Sequence, residues 1–133
     1  MKRVFADSFY FFAILNEEDP LHDFAVELTG TFRGELVTTG WILTEVGGGF
    51  RQPHLRDLFL ELNERLKSNP HVRIEPCSDE LFDAGIDLYR NRPDKSWSLT
   101  DCISFVIMQH EDINEALTGD RDFEQAGFVA LLK

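Results

Sequence analysis

Cysteine is scarce: Cys77 and Cys102 are the only two in 133 residues. They fall in different expected elements, which excludes a disulfide framework and a zinc knuckle. The four histidines, His22, His54, His71 and His110, lack metal-ligand spacing. No window approaches the roughly 18 uncharged apolar residues of a membrane span. Lys2 and Arg3 before an apolar run have the outline of a signal peptide. Asp7 interrupts that run, however, Asn16-Glu17-Glu18-Asp19 ends it, and no small-residue cleavage site follows, so mature cytoplasmic protein is expected from residue 1. Low-complexity tracts, repeats and long polar linkers are missing, and one domain over 1–133 is expected. Basic residues are few as well. Thirteen Lys and Arg against 24 Asp and Glu give a net charge of −11, a field that repels phosphate backbones and by itself speaks against a nucleic-acid partner.

What is present is a globular composition, 43% hydrophobic with 12 Phe, enough at this length to bury roughly two-thirds of the unfolded chain's surface. Apolar spacing predicts a strand over Arg3–Ala6 and helices over Ser8–Asn16 and from Pro20 to the glycines 30 and 34. A strand at Glu35–Thr38 leads to a helix capped by Thr38 or Thr39. Gly47, Gly48 and Gly49 cost that helix about 1 kcal/mol each, so it either stops at Val46 or is held by packing. They are unconvincing as a phosphate loop, since no Lys-Ser/Thr follows. Pro53 is expected to open a helix with Leu55, Leu58, Phe59, Leu62 and Leu66 on one face, and "VRIEPC" is a strand stopped by Pro76. Ser78 or Asp79 caps the next helix, closed at Pro93. "SLTDCISFVIMQHE" is a helix with Ile103, Val106 and Ile107 toward the core, and "EALTGD", "RDFEQAG" and "FVALL" follow as strand, short helix and strand. This alternation predicts a three-layer α/β/α sandwich with a mostly parallel central sheet.

Parallel strands deliver their carboxyl ends to one edge of the sheet. Asp7 lies just past the first strand and Asp120 just past the fourth, Asp101 begins the helix after "WSL", and Glu45 sits among Ile42, Leu43 and Val46. Asp7 has two readings: a helix cap worth about 1 kcal/mol, or a ligand at a strand end, because an ionised carboxylate between apolar segments needs a partner. A convergent set of Asp and Glu without His or Cys points to Mg²⁺ or Mn²⁺. The chemistry natural to such a cluster is attack of water on a phosphodiester.

The ordered set "VFADSFYFFAIL", "TTGWILTEV", "SLTDCISFVIM" and "ALTGDRDFEQAGF" resembles PIN domains, and in particular the toxin ribonucleases of VapBC toxin–antitoxin pairs. The similarity runs over essentially the whole chain. It implies a divalent-metal-dependent endoribonuclease with Asp7, Glu45, Asp101 and Asp120 as catalytic acids, and Asp122 joining Asp7, Asp101 and Asp120 around the metal. Ser8, Thr118 and Ser98 would support the site, although capping suits Ser98 better. The glycines after Glu45 depart from the apolar helix usual in the family.

The resemblance further implies an RNA substrate, an antitoxin partner and a homodimer. Arg90, Arg92, Lys95 and Arg121 stand in or beside loops expected at the acidic edge, where they would meet RNA phosphates. The run Phe9, Tyr10, Phe11 and Phe12 is too apolar for one helix face; core packing accounts for most of it, and any surplus would suit a second chain. A haloacid-dehalogenase-like phosphatase would need a second acid two residues after the nucleophile, where this chain has Phe9. The remaining alternative is a non-catalytic PIN-like binding module with a residual acidic site.

Overall fold

The computed structural model describes residues 2–133; Met1, the first residue of the expected domain, lies outside them. The elements run β1 (Arg3–Ala6), α1 (Ser8–Leu15), α2 (His22–Thr31), β2 (Glu35–Thr39), α3 (Gly40–Gly49), α4 (Arg56–Ser68), β3 (Val72–Glu75), α5 (Asp79–Asn91), α6 (Leu99–His110), β4 (Glu115–Leu117), α7 (Arg121–Gln125) and β5 (Val129–Ala130). This is the strand and helix order that the apolar periodicity predicts.

The five strands form one sheet in the order β3-β2-β1-β4-β5, and every neighbouring pair is parallel. The chain starts in the middle, builds outward through β2 and β3, then returns to lay β4 on the other side of β1. The connections leaving β1 and β4 therefore diverge, and the crevice they open lies beyond the carboxyl ends of these two strands. Pairing of Phe5 with Ala116 and Ala6 with Leu117 sets Asp7 and Thr118 as the next residues at that edge.

Two helices start later than proline placement suggests. Asp19 Oδ1 accepts the Leu21 N–H at 2.8 Å, which keeps Pro20 in a turn, and α2 begins at His22. Leu55 N–H bonds Gln52 O at 2.9 Å, so Pro53 belongs to a turn before α4. The three glycines stay helical to the end of α3, held by packing. A Cβ on Gly49 would lie 2.4 Å from the Phe12 ring and one on Gly47 3.3 Å from Phe59, so neighbouring elements rest directly on this backbone.

The sheet core is aromatic. Phe123 meets Phe5 at 6.4 Å and Phe105 at 4.9 Å, and Phe105 meets Trp97 edge-on at 5.0 Å between centroids. Seven consecutive α6 residues, Cys102–Met108, are buried, more than the three expected. Helix α6 is covered on all sides, which its mostly apolar sequence permits. Ser104 is tolerated there because its hydroxyl donates to Thr100 O at 3.0 Å. In the aromatic run, Tyr10 and Phe11 are buried and Phe9 and Phe12 pack partly buried against the core.

Candidate active site

Asp7 is the residue at which β1 hands over to α1. Its backbone is extended, with φ −87° and ψ 164°, and it occupies the cap position without giving its side chain to the helix. Oδ2 instead accepts from Thr118 Oγ1 at 2.8 Å, and the residue is 5% exposed. Thr118, fully buried past β4, also receives the Asp120 N–H at 3.1 Å. One hydroxyl thereby fixes two acids from different strands.

Asp101 and Ser98 form a reciprocal capping box at the start of α6: Ser98 Oγ accepts the Asp101 N–H at 3.0 Å, and Asp101 Oδ2 accepts the Ser98 N–H at 3.3 Å. Asp120 caps α7, its Oδ1 accepting the Asp122 N–H at 2.9 Å. A carboxylate oxygen from each of Asp101, Asp120 and Asp122 lies within 4.8 Å of the other two. Asp7 stands outside that trio but close enough for the Asp101 charge to act on it. Glu45 is exposed on α3, and its charge also reaches Asp7. Ser8 opens α1, half-buried.

The electrostatics are those of crowded, partly desolvated carboxylates. Burial pushes Asp7 up to about 7, with the Thr118 hydrogen bond working against it and the Asp101 and Glu45 charges adding to it. Burial lifts Asp101 to about 6, reinforced by Asp120 and Asp122 against the Ser98 hydrogen bonds. Asp122 moves up for the same two reasons, burial first and Asp120 second, while Arg121 pulls it down. Such a cluster retains protons until a cation replaces them. Its donors are all carboxylate oxygens, the set preferred by Mg²⁺ and Mn²⁺.

The four expected cations divide. Arg121, on α7, is exposed beside the trio. Arg90, Arg92 and Lys95 line a cleft of about 500 Å³ between the end of α5 and the start of α6, together with Tyr89 and Trp97. These two aromatics had not been singled out, although "YRNRPDKSW" interleaves aromatic and basic residues in one short stretch.

A model of the PIN domain family matches residues 4–129. The chain belongs to the PIN domain family. The five-stranded parallel sheet flanked by helices is the PIN-like α/β/α fold. Among solved structures, this PIN protein is similar to Mycobacterium tuberculosis VapC20, a toxin that cleaves the sarcin–ricin loop. The two are 22% identical over 96% of this chain and 98% of that one, with a TM-score of 0.87. It is also similar to FitAcB from Neisseria gonorrhoeae, at 15% identity over 96% of this chain and 94% of that one, with a TM-score of 0.66. At these identities the likeness speaks for the PIN fold. The search of curated proteins found no match.

Proposed function

We propose that this PIN protein is a divalent-cation-dependent endoribonuclease and the toxin of a type II toxin–antitoxin pair. The observation that carries the reading is the trio Asp101, Asp120 and Asp122, with oxygens within 4.8 Å, beside a buried Asp7 at the crevice between β1 and β4. The likeness to VapC20, whose toxin activity is cleavage of the sarcin–ricin loop, supports it. In this reading Asp7, Asp101, Asp120 and Asp122 hold the cation, Mg²⁺ or Mn²⁺. When bound, such an ion supplies Lewis-acid stabilisation of a phosphodiester and a more acidic water.

The protein's own residues perform the rest. Thr118 keeps Asp7 and Asp120 in register, and Ser98 does the same for Asp101. Burial, which raises Asp7 to about 7, leaves it partly protonated at neutral pH, and a bound cation would favour its ionised form. In this reading Glu45, exposed on α3, takes the proton of the attacking water and returns it to solvent. Hydrolysis then forms one P–O bond from water and breaks one P–O ester bond, with the leaving oxygen protonated from solvent. Arg90, Arg92, Lys95 and Arg121 meet substrate phosphates and offset part of the −11 charge.

An antitoxin is the partner that this reading implies. A homodimer and a cytoplasmic location complete the proposal. No helix among the described residues is long and apolar enough to cross a membrane.

The test is RNA cleavage by the purified chain, free of any antitoxin, in Mn²⁺ or Mg²⁺ with and without EDTA, repeated for Asp101→Asn. Cleavage abolished by both EDTA and the substitution supports the nuclease. A wild type that binds neither ion and cuts no RNA returns the protein to the binding-module alternative.

A further inference from the structure

The cleft between α5 and α6 gathers three cations, two of them paired with acids beside it. Of its eight lining residues, Arg90, Arg92 and Lys95 are cations, Tyr89 and Trp97 are aromatic, and none is acidic. The chain as a whole carries 24 acidic side chains against 13 basic ones. The volume of about 500 Å³ falls within the roughly 300–1,000 Å³ usual for small-ligand sites. Position connects it to the acids. Cys102, which lines the cleft, follows Asp101 directly in α6.

Its walls are not fully satisfied. The Arg92 guanidinium lies 5.1 Å from the Trp97 ring centroid, and its Nε and Nη2 both donate to Asp94 at 3.0 Å, a bidentate pair at the exposed rim. Trp97 is 6% exposed, yet its Nε1–H is buried without a hydrogen-bond partner. Buried donors are normally satisfied, and this one is not. Tyr89 is 53% exposed. Arg90 pairs with Asp87 at 3.1 Å through side chains 69% and 71% exposed, a weak surface pair that yields to a phosphate. Lys95 has no ion pair among the described residues.

We propose that this cleft is the subsite for one nucleotide of single-stranded RNA beside the scissile phosphate. The base stacks on Tyr89, the adjoining phosphate is held by Arg90 and Lys95, and the Arg92–Trp97 pair forms one wall. The proposal rests on the nuclease reading and gives it a substrate form: unpaired bases, because a base inside a helix has no free face to offer Tyr89.

The test uses a fluorescently labelled single-stranded octaribonucleotide of randomised sequence, titrated in EDTA so that nothing is cut. Tyr89→Ala is expected to weaken binding roughly 5-fold or more, the loss of one stacked base. Lys95→Ala should lower both the affinity and the salt slope by about one phosphate contact. Arg51→Ala, an exposed cation away from the cleft, should change neither. In the proton–nitrogen spectrum the indole signal lost in Trp97→Phe should shift on adding the octamer. The subsite alone is overturned if the wild type cuts RNA but ignores the octamer, or if Tyr89→Ala and Lys95→Ala bind and cut like the wild type. If the wild type neither binds the octamer nor cuts any RNA in Mn²⁺, the nuclease reading falls and the subsite with it.

Discussion

Thr118 and Asp7, 111 residues apart, meet at 2.8 Å through a buried hydroxyl-to-carboxylate hydrogen bond that closes the carboxyl edge of β1 against β4. The same hydroxyl accepts the Asp120 N–H at 3.1 Å. Thr118 therefore orients one acid as a donor and the backbone of another as an acceptor, the kind of outer support whose loss costs about 10- to 100-fold in metal affinity.

Thr118→Val keeps shape but removes both bonds. It is expected to weaken Mn²⁺ binding by about 10-fold or more and to destabilise the protein by about 1–3 kcal/mol, since the partners stay buried. Thr118→Ser restores the hydroxyl and should recover most of the affinity. Calorimetric titration with Mn²⁺ checks both; equal affinity in wild type and Thr118→Val would remove Thr118 from the site.

Asp7 makes stability and activity trade against each other. Its pKa rises on folding from 3.8 to about 7, so between these values the folded state binds the extra proton. Its contribution to stability is full below pH 4 and is lost as pH rises through 7, by an amount on the order of 4 kcal/mol. Asp7→Asn keeps an acceptor for Thr118 but has no charge to desolvate. Urea unfolding in EDTA should show the variant more stable than wild type at pH 8 and close to it at pH 4, while divalent-dependent cleavage is abolished. A wild type whose EDTA stability is flat from pH 4 to 8 would contradict this.

Cation binding should release protons. With Asp7 at about 7 and Asp101 at about 6, roughly one to two protons leave per Mn²⁺ bound at pH 6 and close to none at pH 8. Titrations at pH 6 in buffers of different ionisation enthalpy measure this number directly, and apparent affinity should climb steeply over the same interval. Affinity independent of pH would mean that the cation sits elsewhere.

A carboxylate next to an apolar run is costly wherever it lands, and a parallel sheet offers one edge for it. On that ground Asp7, Glu45, Asp101 and Asp120 were expected at one edge; the structure brings Asp101 and Asp120 together with Asp122, which only the resemblance to PIN domains implied. Strand order was not legible, because no spacing tells β4 to pass β3 and lie against β1. Helix starts misled where Asp19 and Gln52 close turns around Pro20 and Pro53, since proline's fixed φ serves a turn as well as a first helical residue. The joint role of Thr118 depends on an approach across the fold that local pattern does not encode, whereas the cleft lined by Tyr89 and Trp97 leaves a local trace in "YRNRPDKSW".

Gly48 and Gly49 show the same division within two adjacent residues. Both sit in the last turn of α3, and from sequence each carries the same helix penalty. A Cβ at Gly48 meets no atom within 4 Å, whereas one at Gly49 would fall 2.4 Å from the Phe12 ring, which itself stacks on Phe50 at 5.9 Å. Gly48→Ala should therefore stabilise by about 0.5–1 kcal/mol, a rise of roughly 2–5 °C in Tm. Gly49→Ala must displace Phe12 from a packed stack and should destabilise by about 1–3 kcal/mol despite the better helix former. Thermal unfolding of the two variants decides it: a gain in both would mean that Phe12 yields freely, and a loss in both would mean that the end of α3 is not helical in solution.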